Sequence, residues 1–374
     1  MRYCVKCVTP ETQEAIQFDR EGVCLACRNI ENKNTNIDWE LRYESLLSIV
    51  SQYKGKYDYD CIVPFSGGKD STYQLYFIVH KLQLKPLVVR YDHWGFRPHV
   101  EQNNRRTFRI LGCDVVQLTV SWHTVRELMR KGIELRGDFC WHCHTGVYGY
   151  VMQMAVKFGI PLVFWGEAPW EYSSKATNAT IQELEAEYFQ KFIGLGLSAE
   201  EILPREQSTG LALRDIKPFL FPSREEIGCI GLRGVYLGNY IPWNPERHAA
   251  IIKNELGWQG AVVEGIPPAW DYEKIECKWQ GVRDWSKFIK RGFGRTSHLV
   301  SLEIRKGAMS REKGWKLVQE YDGKRPASID FFLQEVDISE EQFMEWMLRH
   351  QVAPWNFSDA KCERGAPLPD MALW

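Results

Sequence analysis

An α/β protein built on a parallel sheet, with two smaller appendages, is what this sequence predicts, and three observations carry the expectation. Between residues 61 and 167, short apolar runs alternate with helical patterns, and strands separated by helices of roughly 10–15 residues imply parallel pairing with both faces covered. Ahead of that region stand two Cys-x-x-Cys pairs, and beyond residue 284 the pattern becomes mainly helical. The expected domains are residues 1–36, 37–283 and 284–374.

The elements follow in order. A polar joint at Glu31–Asn36 precedes a helix over Asp38–Tyr53. Cys61–Phe65 is the first buried strand, and a helical pattern runs from Ser71 to Lys81. Leu87–Tyr91 is the second strand, followed by a helix over Pro98–Leu111, a strand over Val115–Leu118 and a helix over Ser121–Lys131. A helix over Thr145–Phe158 leads to a fourth strand, Pro161–Trp165. Ser198 with Glu201 and Ser223 with Glu226 form capping boxes, and Ile216–Leu220 reads as a further strand. Glu246–Leu256, Ser310–Tyr321 and Ser339–His350 are expected helices.

The first strand runs into Ser66-Gly67-Gly68-Lys69-Asp70-Ser71. A buried strand that ends in a Ser/Gly turn and opens a helix presents converging N–H groups to an anion. Lys69 adds a point charge, and Ser66 and Ser71 add hydroxyls, so a phosphate chain is the natural guest. The Gly-x4-Gly-Lys-Ser/Thr spacing of a Walker loop is absent. Ligands of parallel sheets sit beyond the strand C-termini, which puts this loop, Arg90–Tyr91–Asp92 and Gly166–Glu167 on one rim. Asp70 could hold Mg2+ or serve as a first-turn acid. Glu167 could bind metal, orient substrate or cap a turn. His93, Trp94 and Arg97 line either the cleft or the core, and the Lys287–Arg295 cations form a solvated face or an anion contact.

Cys4, Cys7, Cys24 and Cys27 form two knuckles sixteen residues apart. A closed set of four thiolates is what structural zinc prefers; a rubredoxin-like iron site is the other reading. So small a module needs its metal to fold. Cys140 and Cys143, in Cys140-Trp-His-Cys143-His144, leave three readings open: a cleft or packing role, a second metal with His142 or His144, or redox and sulfur chemistry.

Composition sets bounds. With 47 Lys+Arg against 48 Asp+Glu the net charge is −1, so no global field draws the chain to nucleic acid or membrane. Eleven cysteines in 374 residues do not make a disulfide scaffold. The N-terminus carries no apolar h-region and no window is long and apolar enough to span a bilayer. The expectation is a soluble cytoplasmic protein with no nucleic-acid partner.

The Ser66–Ser71 hexapeptide resembles the PP-loop of the ATP pyrophosphatases, whose fold is of the adenine-nucleotide α-hydrolase type. That resemblance implies ATP and Mg2+ as co-reactants, pyrophosphate as leaving group and adenylation of a substrate oxygen. Lys69, Asp70 and Glu167 are then the implied catalytic residues, with Arg90, Tyr91 and Gly166 beside the nucleotide. Over nearly the whole chain the sequence also resembles N-acetyl sugar amidotransferases of bacterial surface-polysaccharide and nonulosonic-acid biosynthesis. The residues that carry this are Cys4–Pro10, Phe139–His144, Ile289–Thr296, Leu302–Arg305, Ser310–Glu312 and Glu320–Gly323. These enzymes turn an acetamido group into an acetamidino group, and the resemblance implies a lipopolysaccharide or O-antigen context. It also implies a separate class-I glutaminase and a cyclase-like barrel as ammonia-supplying partners. The tRNA 2-thiolation enzymes share the loop and are the alternative.

Overall fold

The computed structural model describes residues 1–168, 193–197, 199–202, 210–359 and 363–374. Two compact units divide the chain: one joins Met1–Asp38 with Gly260–Trp374, the other Trp39–Ala168 with the described part of Gln182–Gln259. The expected box at Ser198 lies outside the described residues.

In the first unit the N-terminal knuckle opens into helix α1 (Leu25–Asn36), which runs straight through the expected polar joint. Its residues are polar but include no Pro or Gly to end it.

The second unit begins with α2 (Trp39–Ser51) and holds the sheet. β1 (Cys61–Pro64) leads through the Ser/Gly loop to α3 (Lys69–Tyr76), which continues as a π turn over Phe77–Lys81. β2 (Pro86–Asp92), α4 (Pro98–Leu111), β3 (Asp114–Thr119) and α5 (Trp122–Arg136) follow. Next come α6 (Trp141–Phe158), β4 (Leu162–Trp165), α7 (Arg224–Ile230), β5 (Arg233–Tyr236) and α8 (Pro245–Leu256). The five strands are all parallel in the order β3-β2-β1-β4-β5. β1, β4 and the first six residues of β2 are buried throughout, as expected for strands covered on both faces. Ile62 of β1 stands level with Leu87 of β2 and Val163 of β4.

One expectation fails here, and one strand is not foreseen. Ile216–Leu220 is not a strand: Ile216 ends a helical turn and Lys217–Phe219 form a 3-10 turn. Pro218 has no N–H for a ladder, and the Gln153 side chain of α6 instead donates to the carbonyls of Lys217 (2.8 Å) and Leu220 (2.6 Å). The fifth strand is Arg233–Tyr236, four residues including a glycine, too short to register as a period-2 pattern.

The first unit resumes with α9 (Gln280–Arg291), α10 (Arg295–Arg305), α11 (Arg311–Tyr321), α12 (Ile329–Val336) and α13 (Glu340–Leu348). The C-terminal region is helical, as the pattern predicts. No helix among the described residues is long and apolar enough to cross a membrane.

α6 begins four residues before its expected start, at Trp141, so His142 lies in its first turn and is 1 % exposed. Its Nδ1 pairs with the Phe139 carbonyl at 2.9 Å, while Nε2 has no hydrogen-bond partner. Burial first, and then the neighbouring His93, lower its pKa to about 3. In the unfolded chain the value returns to about 6.5, so between those limits the unfolded state binds the extra proton. The stability this adds is present above about pH 6.5 and is lost as the pH falls. Between pH 7 and 5 this one group should cost about 2 kcal/mol. His142→Gln keeps a donor for Phe139 and removes the titration, so its urea midpoint should change less between those pH values than that of the parent chain.

Candidate functional site

The strand order reverses at β1: the chain runs outward through β2 and β3, then returns to the other side of β1 for β4. A crevice beyond the C-termini of β1 and β4 is where such sheets bind ligands. The Ser66–Ser71 loop leaves β1 at that point, and Gly166–Glu167 leave β4.

The loop is held by its own serines. The N–H groups of Ser66 and Gly67 donate to Ser71 Oγ at 3.3 and 3.2 Å, and Gly68 N–H donates to Ser66 Oγ at 3.3 Å. These bonds are long for their type, so an oxyanion could displace them at small cost. Gly67 has φ +88°, and a Cβ there would stand 2.2 Å from Asn104 Oδ1. Only glycine meets both constraints. Trp258 Nε1 donates to the Gly67 carbonyl at 3.1 Å and pins the turn from behind.

Lys69 and Asp70 open α3. Lys69 is 4 % exposed and its Nζ lies 2.8 Å from Asp70 Oδ2; the other Asp70 oxygen accepts from Trp243 Nε1 at 3.3 Å. The pair presents a cation and an oriented carboxylate together at the loop. Gly166 lies against α3, where a Cβ would meet Gln74 Oε1 at 3.2 Å and the Trp243 ring at 3.5 Å. Gln74 Nε2 donates to the Phe164 carbonyl at 2.6 Å and ties α3 to β4. Glu167, half-buried, follows on the same corner.

Arg90 and Tyr91 end up in different surroundings although they are neighbours on β2. Arg90 is buried; its guanidinium forks onto Glu101, donates to Gln117 Oε1 at 2.8 Å and lies over the Phe96 ring. Glu101 also accepts from Asn104 Nδ2 at 3.0 Å. Arg90 therefore acts on the loop through Glu101 and Asn104, whose carbonyl faces Gly67. Tyr91 points toward α6, where a Cβ on Gly146 would stand 2.8 Å from its ring, and its hydroxyl has no hydrogen-bond partner. Cys140 is buried at the N-cap of α6, where its N–H donates to Asp138 Oδ1 at 2.8 Å; Cys143, half-buried, lies one turn on and acts electrostatically on Tyr91. Asn104, Trp243 and Trp258 are site residues that sequence reasoning missed. A tryptophan at a loop and one in a core read alike until the contacts are known.

The four N-terminal cysteines converge. All four are buried, and their sulfurs lie within 4.8 Å of one another. Cys4–Cys27 and Cys7–Cys24 are separated by 3.9 and 3.8 Å. A tetrahedron with Zn–S of about 2.3 Å has edges of about 3.8 Å, so the quartet fits that ion. The first knuckle is closed by Cys4 N–H donating to the Thr9 carbonyl at 2.8 Å. In the second, Cys24 N-caps α1 and Cys27 lies in its first turn, where the helix N-terminus favours negative charge. Neighbouring thiols, Cys24 first, push Cys7 well below the usual thiol range, with Arg305 adding to the effect. Among the described residues this is the set of three or more such donors that could hold a metal.

The same unit has a small open pocket bordered by Glu264, Asp284, Arg295, Tyr321, Asp322 and Lys324. Asp322 caps α10 from a distance in sequence: it accepts from the N–H groups of Gly294 (2.8 Å), Thr296 (3.0 Å) and Ser297 (3.2 Å) and from Ser297 Oγ (2.6 Å). Burial nonetheless raises its pKa, against those hydrogen bonds.

Residues 270–366 match the family model described as LPS biosynthesis protein WbpG-like, C-terminal domain. The match falls on the helical region that carries the pocket. The chain is also similar to a protein of Methanocaldococcus jannaschii described as Uncharacterized protein MJ1599, with 25% identity over 174 residues, covering 46% of this chain and 61% of that protein. The aligned part thus spans about three fifths of the relative's length.

Two outcomes follow from these geometries. Gly67→Ala must shift either the loop backbone or Asn104, and should lower the stability of the sheet unit by about 2 kcal/mol or more in urea unfolding. The purified chain should carry about one zinc, and a Cys4→Ser/Cys24→Ser double variant should lose it by metal analysis; unchanged occupancy would place the metal elsewhere.

Proposed function

We propose that the protein is an ATP-dependent amidotransferase that converts the acetamido group of an N-acetylated sugar into an acetamidino group. The observation that carries the reading is the Ser66–Ser71 loop at the strand-order reversal, taken with the likeness of residues 270–366 to WbpG-like LPS biosynthesis proteins. A neutral amide does not exchange oxygen for nitrogen at neutral pH, because the oxygen is a poor leaving group. Attack of the amide oxygen on the α-phosphorus of ATP expels pyrophosphate and gives an imidoyl adenylate. Ammonia then adds to its carbon, AMP leaves with the C–O bond electrons, and a resonance-stabilised amidine remains.

In this reading the PP-loop N–H groups and Lys69 neutralise the departing pyrophosphate, and Asp70 is the carboxylate that would hold Mg2+ against the phosphates. Glu167 orients the acceptor from the β4 corner. Ammonia comes from a separate class-I glutaminase through a cyclase-like barrel partner. Burial raises the thiol pKa values of Cys61, Cys113 and Cys277, the last two to about 11, opposite to what a glutamine-cleaving nucleophile requires. The alternative of tRNA thiolation draws no support from the cysteine geometry, since among the described residues the donors that converge are the four of the knuckle.

The test gives the full chain ATP, Mg2+, ammonium chloride and a panel of N-acetylated sugars and sugar nucleotides. Expected products are AMP, pyrophosphate and a sugar 1 Da lighter by mass spectrometry, the difference between =O and =NH. Lys69→Ala should lower turnover by about 100-fold or more. Stoichiometric ADP, or equal turnover on glutamine with no partner present, would overturn the assignment.

A further inference from the structure

We propose that Arg305 is the charge partner of the metal centre: a cation delivered by the last turn of α10 that sets how tightly the four-cysteine site retains its ion. The proposal rests on the reading of the quartet as a zinc site and concerns what the rest of the unit does to it. Four thiolates around one divalent cation leave a net charge of −2 among buried residues. Uncompensated charge away from water is costly, so such a site needs either nearby donors or a fixed cation. Both are present. Cys24 N–H approaches Cys4 Sγ at 3.3 Å and Thr9 N–H approaches Cys7 Sγ at 3.5 Å. A full positive charge reaches the sulfurs in Arg305, whose Nη2 lies 3.6 Å from Cys7 Sγ and 3.9 Å from Cys24 Sγ.

The geometry fixes that guanidinium. Nη2 also donates to Thr9 Oγ1 at 2.8 Å, and Thr9 Oγ1 lies 3.2 Å from both Cys7 Sγ and Ser301 Oγ. Arg305 Nε is shielded from solvent and makes no hydrogen bond of its own. One face of the arginine therefore touches one sulfur from each Cys-x-x-Cys pair. A single cation placed so offsets both halves of the site at once. Ile304, the preceding residue on α10, packs against the cysteine cluster.

A purely mechanical contact to the same knuckle exists for comparison. Arg311, the first residue of α11, donates from Nε to the Cys7 carbonyl at 3.1 Å. It anchors the knuckle through a backbone carbonyl. If Arg305 merely packed, removing either arginine would loosen the metal to a similar degree.

The experiment measures the rate at which the full chain releases zinc to a chromogenic chelator at pH 7.5, after the zinc content of the parent chain has been determined. Parent protein without bound metal would overturn the metal reading, and this proposal with it. With about one zinc bound, Arg305→Met should release it about 10–100-fold faster, the range for losing a partner of metal ligands. Arg305→Lys keeps the charge but not the fork and should fall between; it serves as the readout should the methionine variant fail to fold. Arg311→Met should stay within about threefold of the parent even where its urea midpoint drops. Release from Arg305→Met, or from Arg305→Lys in its place, within twofold of the parent would overturn the proposal. So would an equal acceleration by Arg311→Met.

Discussion

The sheet unit depends on β1 being enclosed by parallel neighbours on both sides. Because β1 pairs with β2 and β4 at once, its end cannot fray, and the Ser66–Ser71 loop leaves a rigid point. That rigidity lets a loop with long internal hydrogen bonds keep its shape. The same constraint accounts for Gly67. A loop that leaves the centre of a sheet must turn within a residue or two, and here α4 presses Asn104 into the turn. The chain from Arg90 through Glu101 to Asn104 then makes the second strand part of the loop's support.

The other unit solves a different problem, that of concentrated negative charge. Four sulfurs meet within 4.8 Å, and the Asp322 carboxylate is held among backbone groups of α10. Each is met by donors from a distant part of the chain: Arg305 at the sulfurs, and the first N–H groups of α10 at the carboxylate. The knuckle, fastened to α10 and α11 by Thr9–Ser301 and Arg311–Cys7 contacts, is a structural element of the helical unit. A metal in such a place contributes folding free energy directly.

The cysteines separate by surroundings. Cys7 of the knuckle is drawn toward the thiolate by its neighbouring thiols, Cys24 first, and by Arg305, whereas Cys61 and Cys277 are held as thiols by burial. Cys140 and Cys143 belong to neither set; they occupy the N-cap and first turn of α6, next to a tyrosine whose hydroxyl has no hydrogen-bond partner. Residue type alone would have placed all of these in one class.

Local pattern determined a good deal. The period of apolar residues, the Pro98 and Ser223 helix starts and the Cys-x-x-Cys spacing are each set within a few residues of chain, so they are legible without neighbours. The parallel sheet, the strand–loop–helix at Ser66–Ser71 and the helical C-terminal region follow from such signals. Tertiary structure decided whatever depends on residues distant in sequence. Ile216–Leu220 has strand-like composition, but Gln153 of α6 satisfies its carbonyls and Pro218 denies the ladder, so it turns instead. Trp243 at Asp70, Asn104 at Gly67 and Arg305 at the sulfurs are brought there by packing, across separations of 173, 37 and 298 residues. No short-range rule reaches that far. A side chain's chemistry is written in the sequence, but its partner is chosen by the fold.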